Sequence, residues 1–148
     1  MKLSTRSRYG LRAMVDLAAN EAGAAPMPLP TLAGKQGVSE AYLEQLLRAL
    51  KKAELVIATR GVNGGYRIAR AAETISVENV LLALEGSTSV ANCVSGEGGA
   101  CENACTCSAR PLFLKLQSRI TSVLESTTIH DLAIEHKEQK NRFEKHLS

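Results

Sequence analysis

Residues 37–52 read GVSEAYLEQLLRALKK, and this stretch decides the fold. Gly37 can take the positive φ of a tight turn, and Ser39 is a good N-cap for a following helix. That helix runs to about Ala53, and one of its faces is apolar because it carries Leu43, Leu46, Leu47 and Leu50. A shorter helix is expected over about residues 29–36, where a proline suits the first turn. Two helices joined by a short glycine-containing turn predict a helix-turn-helix.

A basic β-hairpin is predicted directly after this pair of helices. Residues 55–58 and 66–68 are β-prone, and the turn between them, residues 61–65, has Asn-Gly at its tip. Arginines lie on both arms of the hairpin. A helix-turn-helix followed by a basic hairpin predicts a winged helix.

Further helices are expected on either side of this unit. Apolar residues at positions 11, 14, 15 and 18 predict an amphipathic helix over residues 5–20, and residues 76–84 predict another that ends at Gly86. A long helix from Pro111 carries a 3, 4, 3, 4 seam typical of pairing with a helix of a second subunit. The seam consists of Phe113, Leu116, Ile120, Val123 and Thr127.

A terminal helix completes the predicted architecture. Residues 128–131 predict a capping box that opens it, and the polar tail past about Lys137 is expected to fray. We therefore predict a mainly α fold with a small β-hairpin: a winged helix-turn-helix plus a long dimerisation helix. Residues 1–86 form the DNA-binding domain, residues 87–108 form a cysteine loop, and residues 109–148 form the dimerisation and C-terminal helices.

Charge is divided unevenly along the chain. Residues 1–70 carry 11 Lys and Arg against 5 Asp and Glu, a net +6, whereas residues 71–148 carry 7 against 10, a net −3. A basic first half predicts a module that faces a polyanion, joined to a part that does not. No stretch approaches the roughly 20 apolar residues of a membrane span, and no signal peptide is evident. We therefore expect a cytoplasmic protein with no membrane partner.

The DNA-binding candidates follow from this arrangement. Side chains near the N-terminus of a recognition helix reach base edges, which selects Ser39, Tyr42, Glu44 and Gln45. Gln45 can pair with adenine, and Glu44 can accept from cytosine N4. Arg60 on the wing is a candidate for minor-groove insertion. Phosphate contacts are expected from Lys2, Arg6, Arg8, Arg48, Lys51, Lys52 and Arg67, although any single lysine here can equally belong to a solvated helix face. Tyr9 and Tyr66 are expected to pack at the helix–wing junction.

All four cysteines of the chain, Cys93, Cys101, Cys105 and Cys107, lie in one polar, glycine-rich loop. Such a loop has too few apolar side chains to order itself, and thiolates around a metal would order it. In a reducing compartment, a metal or redox site is favoured over a disulfide framework. Spacing alone does not separate a sulfur-rich zinc site from an iron–sulfur site, and a redox disulfide pair is a further alternative.

The sequence resembles the IscR-type iron–sulfur cluster regulators of the Rrf-two family over about residues 1–135. The resemblance rests on MKLST (1–5) with YGLRAM (9–14), SEAYLEQL (39–46), TRG (59–61) with GGY (64–66), the cysteines, and TTIHDL (127–132). It implies a homodimeric winged-helix regulator that binds double-stranded DNA and a 2Fe–2S or 4Fe–4S cluster. Residues 84–86 and 124–128 also resemble cysteine-metabolism repressors, which lack the cysteine set.

The resemblance also implies a ligand set. By order and spacing, Cys93, Cys101 and Cys107 match the three cysteine ligands of the family. Many family members place a histidine three residues after the last cysteine, where this chain has Arg110, and a guanidinium offers no lone pair. Cys105 is the nearest candidate for the fourth ligand; Glu97, Glu102 or a group from the second subunit are the alternatives.

The expected function is that of a transcriptional regulator, a repressor, that senses iron–sulfur cluster, iron or redox status. Cluster loading is expected to order residues 92–108 and, through the seam helix, to fix the spacing of two recognition helices. The alternative is a nitric-oxide-responsive or zinc or thiol-redox regulator of the same family. An enzyme with a small-molecule substrate is not expected, because the chain has no Cys-x-x-Cys and no phosphate-cradling loop. A protein–protein adaptor does not explain the basic hairpin.

Overall fold

The computed structural model describes residues 2–20, 25–95 and 101–148. Within these ranges the chain forms six α-helices and one antiparallel hairpin, with short 3-10 turns at Ala72–Thr74 and Asn92–Val94. The elements are α1 (Thr5–Ala18), α2 (Leu29–Gln36), α3 (Glu40–Lys52), β1 (Val56–Thr59), β2 (Gly65–Ile68), α4 (Val77–Glu85), α5 (Arg110–Ser126) and α6 (Ile129–Leu147). The predicted mainly α fold with a small hairpin is confirmed. None of the helices in these ranges is long and apolar enough to cross a membrane.

The turn between α2 and α3 forms as the sequence predicts. Gly37 ends α2 in the left-handed conformation, with φ of 66°, and its N–H returns to the Gly34 carbonyl. The Ser39 hydroxyl caps α3 by accepting from the Tyr42 N–H at 3.2 Å. Four leucines of α3 are then completely buried: Leu43, Leu46, Leu47 and Leu50. Because these four leucines face the core, they determine which side of α3 faces outward.

One core joins the elements of the winged helix. Completely buried side chains come from α1, α2, α3, α4 and the segments between them, among them Met14, Leu32, Ile75 and Val80. Ile129, the first residue of α6, is also completely buried in this core, and its N–H donates to the Ile75 carbonyl at 2.9 Å. Hence the C-terminal helix begins inside the winged-helix body.

The hairpin is tied to the start of α2. Strands β1 and β2 pair from Val56 with Ile68 to Thr59 with Gly65. At the free edge of β2, Tyr66 pairs with Met27. The N–H of each residue donates to the carbonyl of the other, and both distances are 2.8 Å. Gly65 has φ of 154°, and a Cβ there would collide with the Met27 main chain. Glycine is therefore required at position 65, both for the positive φ and for the close approach of the two main chains.

The last helix opens on the predicted capping box. The Asp131 N–H donates to the Thr128 hydroxyl at 3.1 Å, and the Thr128 N–H donates to the Asp131 carboxylate at 2.9 Å. The hydrogen bond from the Thr128 backbone lowers the pKa of Asp131. Helix α6 continues to Leu147, so the expectation of fraying past about Lys137 is wrong. The tail is rich in Glu, Lys, Gln and Arg, which are strong helix formers even where no side chain is buried.

Replacing Gly65 by alanine tests the contact between the wing and Met27. Because the added Cβ would push the Met27 main chain away, we expect Gly65→Ala to destabilise the fold by about 1–3 kcal/mol. Urea unfolding followed by circular dichroism measures this change. Gly34→Ala is the matched control, since a Cβ on this helical glycine meets open space and should stabilise by about 0.5–1 kcal/mol. Equal stabilities of the two variants would contradict the role given to the Gly65–Met27 contact.

Candidate functional site

Polar side chains that the sequence predicts to bind DNA lie together on the outward face of α3. Glu44, Gln45, Arg48, Lys51 and Lys52 are exposed, and helical spacing places them together on the side opposite the buried leucines. Ser39 is exposed at the N-terminus of the same helix. The structure therefore presents these six residues on one solvent-facing surface with three basic side chains.

Tyr42 differs from the other α3 candidates because it is half-buried. Its ring meets the ring of Tyr9 edge-on, with centroids 6.2 Å apart and an interplanar angle of 90°. The guanidinium of Arg12 lies 5.5 Å from the centroid of Tyr9. Sequence reasoning did not select Arg12. Arg12 follows Tyr9 by three residues on a helix. This i, i+3 spacing places two side chains on the same face, and it is the sequence feature from which the contact could have been predicted.

Tyr66 connects the wing to the outward face of α3. The side chain is partly buried against the core, and this burial raises the pKa of the phenol. The Glu44 carboxylate raises the pKa further, whereas the positive charge of Arg48 lowers it. Both charges belong to the exposed face of α3, so Tyr66 packs at the helix–wing junction as expected.

The remaining basic candidates lie on the wing and on α1. Arg60 is exposed directly after β1, and Arg67 is half-buried on β2, where it pairs with Ile57. Lys2, Arg6 and Arg8 are exposed at the start of the chain. Arg6 is partly engaged within the fold, because its Nε donates to the Leu84 carbonyl at 3.3 Å.

The described residues of the cysteine segment (residues 87–108) lie in short turns and against α5. Cys93 lies in the 3-10 turn Asn92–Val94, which packs against α5. The Cys107 N–H donates to the Asn103 carbonyl at 2.8 Å, and the Arg110 N–H donates to the Cys107 carbonyl at 3.3 Å. Cys93, Cys101 and Cys107 are half-buried, Cys105 is exposed, and all four are free thiols. In residues 2–20, 25–95 and 101–148, no three His, Cys, Asp or Glu side chains converge to hold a metal ion.

The donor set nevertheless fits a thiolate-bound cofactor. Soft thiolates suit zinc and iron–sulfur clusters alike. Arg110 Nε is buried and has no hydrogen-bond partner among the described residues, so an N–H donor is available beside the cysteine segment. Of the alternatives for a fourth ligand, Glu102 is exposed like Cys105, and Glu97 lies outside the described residues.

The winged helix and its basic outward face define the class: the chain is a DNA-binding transcriptional regulator. The sequence model of the Rrf2 (Rrf-two) family, described as an iron-dependent transcriptional regulator, matches residues 3–135. The chain belongs to this family. Since the family consists of regulators, the prediction that the chain is not an enzyme is confirmed.

Relatives and solved structures agree with this assignment. The HTH-type transcriptional regulator IscR of Aliivibrio salmonicida is 36% identical over 140 residues, which cover 95% of this chain and 82% of that protein. The IscR of Escherichia coli O1:K1 / APEC is 38% identical over 133 residues, covering 89% and 80%. The structure of T. potens IscR has a TM-score of 0.75 at 35% identity and covers 94% of this chain and 90% of that one. CymR, the global cysteine regulator of B. subtilis, has a TM-score of 0.76 at 36% identity, covering 91% and 98%.

Arg60→Ala tests whether the wing reads sequence. If Arg60 enters the minor groove, the variant should lose about 1–3 kcal/mol on a specific site and much less on unrelated DNA. Fluorescence anisotropy would compare a fragment that the wild-type protein selects from a random library with a scrambled fragment. Lys52→Ala is the matched control, because a phosphate contact should weaken both fragments evenly and lower the salt slope by about 1. An even loss for Arg60→Ala would contradict base reading by the wing.

Proposed function

We propose that this protein is a homodimeric repressor that senses iron–sulfur cluster, iron or redox status through a cluster held by Cys93, Cys101 and Cys107. One observation carries the proposal: three half-buried thiols lie on a segment whose two ends are bonded to the same helix, α5. The description of the family as iron-dependent and the relatives named IscR support it.

The residues of the segment would hold the cofactor in the following way. A bound iron–sulfur cluster supplies a group whose presence depends on iron supply and oxidants. The three half-buried cysteines would bind as thiolates, and Cys105 or Glu102 would approach from the exposed side as the fourth ligand. The buried Nε of Arg110 would donate a hydrogen bond to a thiolate or sulfide sulfur, which offsets negative charge at the site.

DNA contacts in this proposal follow the exposed surface of the winged helix. Ser39, Glu44 and Gln45 would reach base edges in the major groove, with Tyr42 beside them and supported by Tyr9. Arg60 would enter the minor groove. The basic residues of the N-terminal segment, α1, α3 and β2 would contact phosphates: Lys2, Arg6, Arg8, Arg48, Lys51, Lys52 and the half-buried Arg67.

The homodimer is proposed from the apolar edge of α5. One side of the helix, with Phe113 and Ile120, is half-buried against its own chain. An adjacent side leaves Leu112, Leu116 and Val123 exposed at 56%, 37% and 62%. Pairing with a second copy would cover this stripe. Residues 1–86 then bind DNA in the cytoplasm, and residues 87–108 hold the cluster. Residues 109–148 form the dimerisation helix and the C-terminal helix, of which Ile129 is buried in the winged-helix core.

Purification without oxygen tests the cofactor. We expect iron and sulfide bound to the chain, absorption bands at roughly 320–420 nm, and their loss in a triple Cys93, Cys101, Cys107→Ser variant. Promoter affinity should differ between loaded and unloaded protein by about 5- to 150-fold. Cys105→Ser tests the fourth position separately. A colourless protein with stoichiometric zinc would support the zinc alternative, and equal promoter affinity in both states would rule out the sensor.

Val123→Asp tests the dimer. A carboxylate within a covered apolar stripe is costly, so the dimer dissociation constant should rise by at least roughly tenfold. Light scattering after size-exclusion chromatography measures this change. Ser118→Asp on another side of α5 is the control, because Ser118 is exposed and lies away from the stripe. A dimer that is unaffected by Val123→Asp would place the subunit contact elsewhere.

A further inference from the structure

Side-chain hydrogen bonds from α4 and α5 hold residues 88–90, which lead from α4 towards the first cysteine. The Val90 N–H donates to Gln117 Oε1 at 2.7 Å, and Gln117 Nε2 approaches the Thr88 carbonyl at 3.5 Å. On the α4 side, the Thr88 hydroxyl donates to Glu78 Oε1 at 2.7 Å. Residues 88–90 are therefore attached to α5 mainly through the amide of Gln117.

Gln117 suits this position because its amide offers both an acceptor and donors. The oxygen accepts from one main-chain N–H of the segment, while the nitrogen faces a main-chain carbonyl two residues earlier. The nitrogen also donates to the Thr121 hydroxyl at 3.0 Å, one helical turn further along α5. This last bond orients the amide and keeps its oxygen directed at Val90.

The far end of the cysteine segment is bonded to the same helix. The Arg110 N–H, in the first turn of α5, donates to the Cys107 carbonyl at 3.3 Å. Arg110 and Gln117 are seven residues apart, which places them on one face of a helix and about 10 Å apart along its axis. Residues 88–90 thus bond α5 about two turns beyond the point where the chain enters this helix, and the turn that carries Cys93 packs against the same helix.

We infer that Gln117 is the positioning residue that passes the state of the cysteine segment to α5. This inference rests on the proposed function, since it names how that site is coupled to the dimer helix. Loading of the cluster would strengthen the two hydrogen bonds that Gln117 makes with residues 88–90, and it would thereby fix the position of α5 relative to α4. Without these hydrogen bonds, the cysteines would still bind the cofactor, but the cysteine segment would no longer set the position of α5.

The test is the ratio of promoter affinities between cluster-loaded and unloaded protein, measured anaerobically on the full chain. Gln117→Met keeps length and helix propensity but removes both hydrogen bonds, so a wild-type ratio of about 5 to 150 should fall to within about twofold of one. Iron and sulfide content should stay at the wild-type level, and hydrogen exchange of the Val90 amide should accelerate. Thr121→Val is the milder second variant, expected to lower the ratio partially, because it removes only the bond that orients the amide.

Ser118→Ala, on the neighbouring exposed position of α5, is the control and should keep the wild-type ratio. If Gln117→Met and Thr121→Val retain a large ratio, Gln117 is not the coupling residue, while the proposed function stands. Should the wild-type protein itself show a ratio of one, the proposed function fails and this inference with it. Loss of iron in parallel with the ratio would assign Gln117 to holding the cofactor and overturn the inference.

Discussion

Complete burial of four leucines on one face of α3 is the constraint that determines which side of this helix faces outward. Leu43, Leu46, Leu47 and Leu50 each gain about 1.5–3 kcal/mol from leaving water. Rotation of α3 by one residue, about 100°, would expose part of this face and turn Gln45 towards the core. The orientation of the side chains that we propose to contact bases is therefore set by buried leucines on the opposite face of the helix.

The wing and the C-terminal helix are attached to this same core. The wing is fixed by the paired hydrogen bonds of Met27 and Tyr66, and α6 by the burial of Ile129. Since the parts of the winged helix share one packed core, a signal in the proposed homodimer would alter DNA affinity by changing how the two copies are spaced. In the described residues, α5 is the helix suited to this, because it contacts α4 and the cysteine segment and also carries the exposed apolar stripe.

Local signals made most of the fold predictable from the sequence. The Gly37 turn, the Ser39 cap, the hairpin and the box of Thr128 and Asp131 each depend on residues a few positions apart. The close approach at Gly65, the Tyr9–Tyr42 contact and the hydrogen bonds of Gln117 were not predictable, because their partners are distant in sequence. The length of α6 was missed because a polar pattern without an apolar face looks like a tail. For the site, the exposed face of α3 followed from helical periodicity. The spacing of the four cysteines in the sequence has no such period.

The winged helix and the residues that lead into the cysteine segment differ in how strongly they are held, and this difference suits the proposed sensor. The winged helix rests on completely buried apolar side chains, whereas residues 88–90, which lead into the cysteine segment, are held by hydrogen bonds that are each worth only about 1 kcal/mol net. In the proposed function, the binding energy of a cofactor at the three half-buried thiols would therefore act on the cysteine segment without endangering the fold. A coupling of about 1–3 kcal/mol is enough to switch DNA affinity, and it is small beside the roughly 5–15 kcal/mol that keeps a domain folded.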